Sequence, residues 1–292
     1  MVGSGNQLNN NRRAILLLAG LLAAAMAGGR EARSTIPIYP YTSASWRWVF
    51  EQSGEYKISN APKTVIAPHD IASYAELMKF YNGLGRVVQP EVVAIIGPNH
   101  RDTGTATIQT TRSGFATTNG ILAVNQALAR RMVRDGVARD TADTFINEHA
   151  FTIEAEYIQQ VFPQSQILPL AIRSDATAQD ADGLAGWLAQ NLPTNSLVIG
   201  SLDFSHYLTK ARADINDAKT LRAMRTGEID QLPQIDSACE FVDSPIGLRI
   251  LLRYAQIKSA DDLVVVRHDN SADIWHQPNS TSTTGHFYLA WS

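Results

Sequence analysis

Val92-Val93-Ala94-Ile95-Ile96-Gly97-Pro98-Asn99-His100 passes from five consecutive apolar residues into a Gly-Pro stop and then a histidine. Apolar at every position, the run reads as a strand buried on both faces, the kind found in parallel sheets. Similar runs recur at Thr64 to Ala67, Ile167 to Ile172, Leu197 to Ile199, Leu263 to Val266 and His286 to Trp291, and Thr105 to Thr111 is β-prone. Helical signals lie between them. Tyr74, Leu77, Met78, Tyr81 and Leu84 share one helical face behind a Ser73/Glu76 capping box. Residues 121–134, Phe151 to Phe162 and Thr209 to about Arg225 read as helices, and Ser244-Pro245 opens another through Tyr254. This alternation predicts an α/β fold with a mainly parallel central sheet and helices on both faces.

The chain has 292 residues, 45% of them hydrophobic and 18% charged, enough for a sizeable core. That composition excludes a disordered tail, a disulfide-stapled miniprotein and a multi-span membrane protein. The 25 Lys+Arg and 28 Asp+Glu are dispersed, so no surface is built to grip a nucleic-acid backbone. Cys239 is the sole cysteine and cannot form an intramolecular disulfide. At the N-terminus, Arg12-Arg13 precede an apolar run from Ala14 to Ala27 that ends in Ala25-Met26-Ala27. Residues 1–29 therefore read as a signal peptide or membrane anchor, which predicts an exported or tethered, extracytoplasmic protein. Residues 30–62 read as an irregular lead-in, and residues 63–292 as a single α/β domain.

Histidines follow the strands. Thr64 to Ala67 runs into Pro68-His69-Asp70, Val92 to Ile96 into Gly97-Pro98-Asn99-His100, and Leu197 to Ile199 into Asp203-Phe204-Ser205-His206. In open α/β sheets the loops beyond the carboxyl ends of the strands converge into a site. A fourth histidine, His149, opens a helix behind Glu148, a place where a carboxylate suits the helix dipole. His268, His276 and His286 read as surface or satisfied core residues. Imidazoles converging with an anionic ligand suit a borderline transition metal such as iron(II), copper or zinc, whereas Ca²⁺ or Mg²⁺ would want more carboxylates. The sequence has no H-E-x-x-H, C-x-x-C, G-x-S-x-G, Walker A loop or strand-following G-x-G-x-x-G.

Pro68-His69, Gly97-Pro98-Asn99-His100, Glu148-His149, Asp203-Phe204-Ser205-His206, and Cys239 followed by Pro245-Ile246-Gly247 occur in the order that resembles the Memo-like family, the B component of the AmmeMemoRadiSam system. The resemblance covers roughly residues 63–260. It implies a class III extradiol dioxygenase-like fold with a non-haem metal pocket at the strand ends. It implies further that His69, His100 and Cys239 are metal ligands, that His206 is the acid/base histidine, and that Asp203 and Glu148 orient imidazoles, with His149 beside them. The chain departs from the pattern in Asp70-Ile71 after the first histidine, in Glu154 as a late glutamate after Glu148-His149, and in Glu240 after the cysteine with Pro245 six residues beyond it. That extension leaves Glu240 or Asp243 as the alternative third ligand, which would restore a 2-His-1-carboxylate set.

Two functions follow as expectations. One is an exported metal-dependent oxidoreductase, with iron or copper favoured over zinc, acting on a small substrate beside dioxygen. The other is a non-catalytic protein that holds a metal or a peptide in the same pocket.

Overall fold

The structure, a computed structural model, describes residues 35–228 and 239–292. The expected signal segment lies outside the described residues. Helix α1 (Ser43–Phe50) stands in the stretch expected to be irregular; Thr42 caps it, and Trp46 and Val49 anchor it in the core. Then follow β1 (Thr64–Ala67), α2 (Tyr74–Val87), β2 (Val92–Pro98), β3 (Ile108–Thr110), β4 (Phe115–Thr117), β5 (Gly120–Leu122), α3 (Gln126–Arg134) and β6 (Arg139–Asp140). The second half carries α4 (His149–Val161), β7 (Gln166–Ile172), α5 (Ala178–Asn191), β8 (Ser196–Ser201), β9 (Phe204–Leu208), α6 (Lys210–Thr226), α7 (Pro245–Ile257), β10 (Leu263–Asn270), the short α8 (Ser271–Ile274) and β11 (Thr283–Trp291).

The main sheet runs β10-β11-β1-β8-β2-β7-β3-β6, with β9 paired to β11. Its centre, β1-β8-β2-β7, is parallel. Strands β11, β10 and β9 add an antiparallel flank. The register Ile96↔Gly200 between β2 and β8 puts those two residues on one face and Gly97 on the other. A Cβ at Gly200 would meet Leu251 of α7, and one at Gly97 would meet Ala150 and Phe151 of α4. Helices therefore cover both faces of the sheet. The strands β1, β2 and β8 are buried at every position, as apolar runs in a doubly covered sheet should be.

Local signals differ from the sequence reading at two points. The Ser73 side chain makes no cap for α2; instead it donates to the Asp70 carbonyl at 2.6 Å, and Asp70 caps the single 3₁₀ turn before the helix. A full capping box forms at Thr177 and Asp180 of α5. The helix expected over 121–134 begins later, at Gln126, because residues 120–122 pair with 115–117 as a hairpin.

Gly200 sits where α7 presses closest on the sheet, one residue before the site begins. Gly200→Ala should lower stability by about 1–3 kcal/mol through overpacking against Leu251. Urea unfolding should show an earlier midpoint with unchanged slope, and an unchanged midpoint would mean that α7 moves freely.

Candidate metal centre

Because β8 lies between β1 and β2, the loops leaving these three strands emerge side by side at one end of the sheet. The first carries His69, the second His100 and the third Asp203. Asp203 ties two of the loops together: its Oδ1 accepts the backbone N–H of His69 at 2.9 Å and of Asp70 at 3.2 Å. Glu148 performs the same service for His100, taking its backbone N–H at 3.0 Å and pairing with its Nδ1 at 2.7 Å. Asn147, which leads into Glu148, is held at φ 57.

The imidazoles of His69, His100 and His149 each offer a nitrogen within 4.8 Å of the others. His69 is buried at the floor, and His100 and His149 stack at the mouth with ring centroids 4.4 Å apart. Asp243 closes the fourth side. Its Oδ2 lies 3.1 Å from His69 Nε2 and 4.0 Å from His100 Nε2. No aligned hydrogen bond joins His69 Nε2 to Asp243 Oδ2, so His69 Nε2 is buried without a hydrogen-bond partner; the other oxygen, Asp243 Oδ1, is also buried and without one. His69, Asp203 and Asp243 form a second group of converging donors. An unsatisfied imidazole nitrogen facing a carboxylate oxygen fits a bound cation, which would take up the lone pair of the nitrogen.

The segment 239–243 runs antiparallel to β9 and places its residues by register. Asp243 N–H donates to Asp203 O at 3.0 Å, while His206 N–H donates to Cys239 O at 2.9 Å. The two contacts fall at Asp203 and His206, with Phe204 and Ser205 between them. Asp243 thus faces His69, whereas Cys239, half-buried beside His206, is in neither group of converging donors. Glu240 turns toward Arg212, 3.8 Å away. His206 is half-buried, and its Nδ1 has no hydrogen-bond partner; burial pushes the Asp70 and Asp243 carboxyls up, and His286 and His69 respectively hold them below their ordinary values.

Proton affinities follow from these contacts. Burial disfavours a charged His69, but Asp203 and Asp243 outweigh it and raise its pKa to about 10. Burial pushes Glu148 up, and its contacts with His100 bring it below the ordinary carboxylate value. His149 falls to about 3, through burial first and then the charges of His69 and His100, so it stays neutral. His286, on β11, is fully buried with Asp269 2.9 Å from Nδ1 and Asp70 3.0 Å from Nε2. It is a satisfied core residue that braces the loop of His69, as His268 is satisfied by Asp217 at 2.8 Å.

A family model described as Memo-like protein matches residues 39–286. The chain belongs to the Memo-like family. Among Memo-like relatives, the MEMO1 family protein MK0963 of Methanopyrus kandleri is 29% identical over 178 residues, 59% of this chain and 62% of that protein, so the match spans less than two thirds of the relative. A MEMO1 family protein of Methanothermobacter thermautotrophicus is 23% identical over 243 residues, covering 78% of this chain and 84% of its own length. A solved structure, the uncharacterized protein JW3007 from Escherichia coli K12, superposes with a TM-score of 0.43 at 11% identity, covering 76% of this chain and 98% of its own.

Beneath the floor of this Memo-like site lies Glu154, which the sequence reading marked only as late. Its signal is an acid inside α4, whose residues 150–158 are all buried. Burial pushes its carboxyl up to about 8, against the lowering effects of Tyr81, His69 and Ser201. Below about pH 4.5 the group is protonated folded or unfolded. Between about 4.5 and 8 the unfolded chain has lost a proton that the folded protein keeps, so stability falls as pH rises through that window. Glu154→Gln should remove this slope, so its thermal midpoint should gain on the wild type between pH 5 and pH 8. Parallel midpoints across that range would refute the buried neutral acid.

Proposed function

We propose that this chain is a metal-dependent oxidoreductase in which His69, His100 and Asp243 hold one iron(II) or copper ion as a 2-His-1-carboxylate set. The observation that carries the reading is the convergence of His69 Nε2 and His100 Nε2 on Asp243 Oδ2 at 3.1 and 4.0 Å, with the His69 nitrogen buried and unsatisfied. Bound there, the metal would supply redox and Lewis-acid chemistry to a small aromatic or reduced substrate beside dioxygen. Asp203 and Glu148 fix the two loops that carry the imidazoles, so the donor set is assembled before a cation arrives. His206 receives or returns a substrate proton at Nδ1, which no protein group occupies. His149, neutral through burial and its neighbours, lines the mouth and is free to accept a hydrogen bond. Asp243 stands where the family resemblance puts Cys239, and an oxygen ligand suits oxygen chemistry better than an oxidisable thiolate. Export belongs to the same proposal and draws its support from the apolar run of residues 14–27.

Metal analysis of the chain purified without oxygen tests this. We expect one equivalent of iron or copper, lost in His69→Ala and His100→Ala, weakened at least about tenfold in Asp243→Asn, and retained in Cys239→Ser. Retention in Asp243→Asn with loss in Cys239→Ser would hand the third position to the thiol. Oxygen consumption by the loaded protein during substrate screening, abolished in His206→Ala, is expected of the oxidoreductase. Tight metal binding with no oxygen consumption would leave a metal- or peptide-binding protein.

A further inference from the structure

Each imidazole at the centre has a second nitrogen, and the two are held in different ways. His100 Nδ1 meets a carboxylate directly, Glu148 Oε1 at 2.7 Å. His69 Nδ1 meets a hydroxyl instead, Ser201 Oγ at 3.1 Å, at the end of β8. A serine hydroxyl can donate or accept, so by itself it leaves the imidazole tautomer undetermined. Behind Ser201 stands Glu154. Tyr81 donates its hydroxyl to Glu154 Oε2, while Oε1 is buried with no hydrogen-bond partner. The neighbouring Ser201 hydroxyl is one of the groups that lower the proton affinity of Glu154. Tyr81 is itself fixed by stacking on Tyr157 at 5.2 Å, and Tyr157 donates to the Tyr74 carbonyl at 2.9 Å. The carboxyl therefore has one oxygen committed to an immobile partner and the other turned inward beneath His69. Burying such a group costs free energy that a leucine would not, unless its free oxygen is used.

We propose that Ser201 and Glu154 form a positioning relay that keeps the proton of His69 on Nδ1 and leaves Nε2 facing the cation site. Once Glu154 is ionised, above about pH 8, its Oε1 accepts from the Ser201 hydroxyl, and the Ser201 oxygen then accepts from His69 Nδ1–H. The lone pair of Nε2 is thereby aimed at Asp243 and His100. One helix, α4, thus serves both imidazoles: Glu148 at its start orients His100 directly, and Glu154 nearly two turns later orients His69 through a hydroxyl. The inference rests on the metal reading for its purpose, and on the buried contacts alone for its geometry.

Glu154→Gln separates this role from a structural one. With the amide carbonyl accepting from Tyr81, the amide N–H₂ faces Ser201, reverses the hydrogen bond and moves the His69 proton to Nε2. The variant loses a buried ionisable group, so its thermal stability should hold or rise, while Zn²⁺ affinity, measured by chelator competition on the full chain above the Glu154 pKa of about 8, falls about 10- to 100-fold. Ser201→Ala should produce a similar loss. The double variant should be no weaker than the weaker single variant, because both cut one relay. Affinities within twofold of wild type, or losses that simply add, would overturn the relay. If the wild type takes up no Zn²⁺, the metal reading fails, and the relay is read instead from the side-chain ¹⁵N resonances of His69. Loss of the Nδ1–H signal in Glu154→Gln and Ser201→Ala would support it, and unchanged resonances would overturn it.

Discussion

The Asp203 carboxylate accepting the backbone N–H groups of His69 and Asp70 is the contact on which the rest of the centre depends. It joins the loop after β1 to the turn after β8, two strands 134 residues apart in sequence at the bonded positions. The same turn receives Asp243, whose N–H donates to the Asp203 carbonyl and whose Oδ2 accepts the Asp203 N–H at 3.2 Å. One residue thereby sets the floor histidine and the facing carboxylate together. Charge-assisted hydrogen bonds of this kind are short and directional, which is what a preformed donor set needs.

Placing three imidazoles against several carboxylates in a largely buried space is expensive unless charges are matched. Here the matching is local. Asp203 and Asp243 hold His69 cationic when no metal competes, Glu148 is held ionised by His100, and His149 is left neutral. A divalent cation bound at Nε2 of His69 replaces a proton there and adds one positive charge, which falls among the carboxylates of Asp203, Asp243 and Glu148. His286, clamped between Asp70 and Asp269, supplies a fixed positive charge behind the loop and offsets the acids nearby.

The departure around Cys239 has a register explanation. The extra residues between the cysteine and Pro245 let segment 239–243 pair with β9 so that Asp243, not the thiol, comes opposite Asp203. Backbone at Ser205, Tyr207 and Cys239 takes positive φ along this pairing, a concentration of unfavoured conformations beside the centre.

The sequence alone determined the strands and the polar residues just beyond them. Unbroken apolar runs need burial on both faces, and a chain leaving such a strand puts its first polar side chains at the sheet's carboxyl edge. His69, His100 and Asp203 were legible for that reason, Glu148 from its place at the start of a helix, and the apolar helices from their 3.6-residue period. The strand order was not, since nothing local records that β8 lies between β1 and β2; only that order makes the three loops neighbours. Helix α1 escaped notice because its aromatic residues gain their stability from the core and not from helix propensity. Long-range pairing chose Asp243 over Glu240, the two alternatives that the sequence left open, and Ser201 and Glu154 became site residues only through packing. Their roles depend on distances of a few ångströms between segments far apart in the chain, and those distances exist only once the sheet has closed around them.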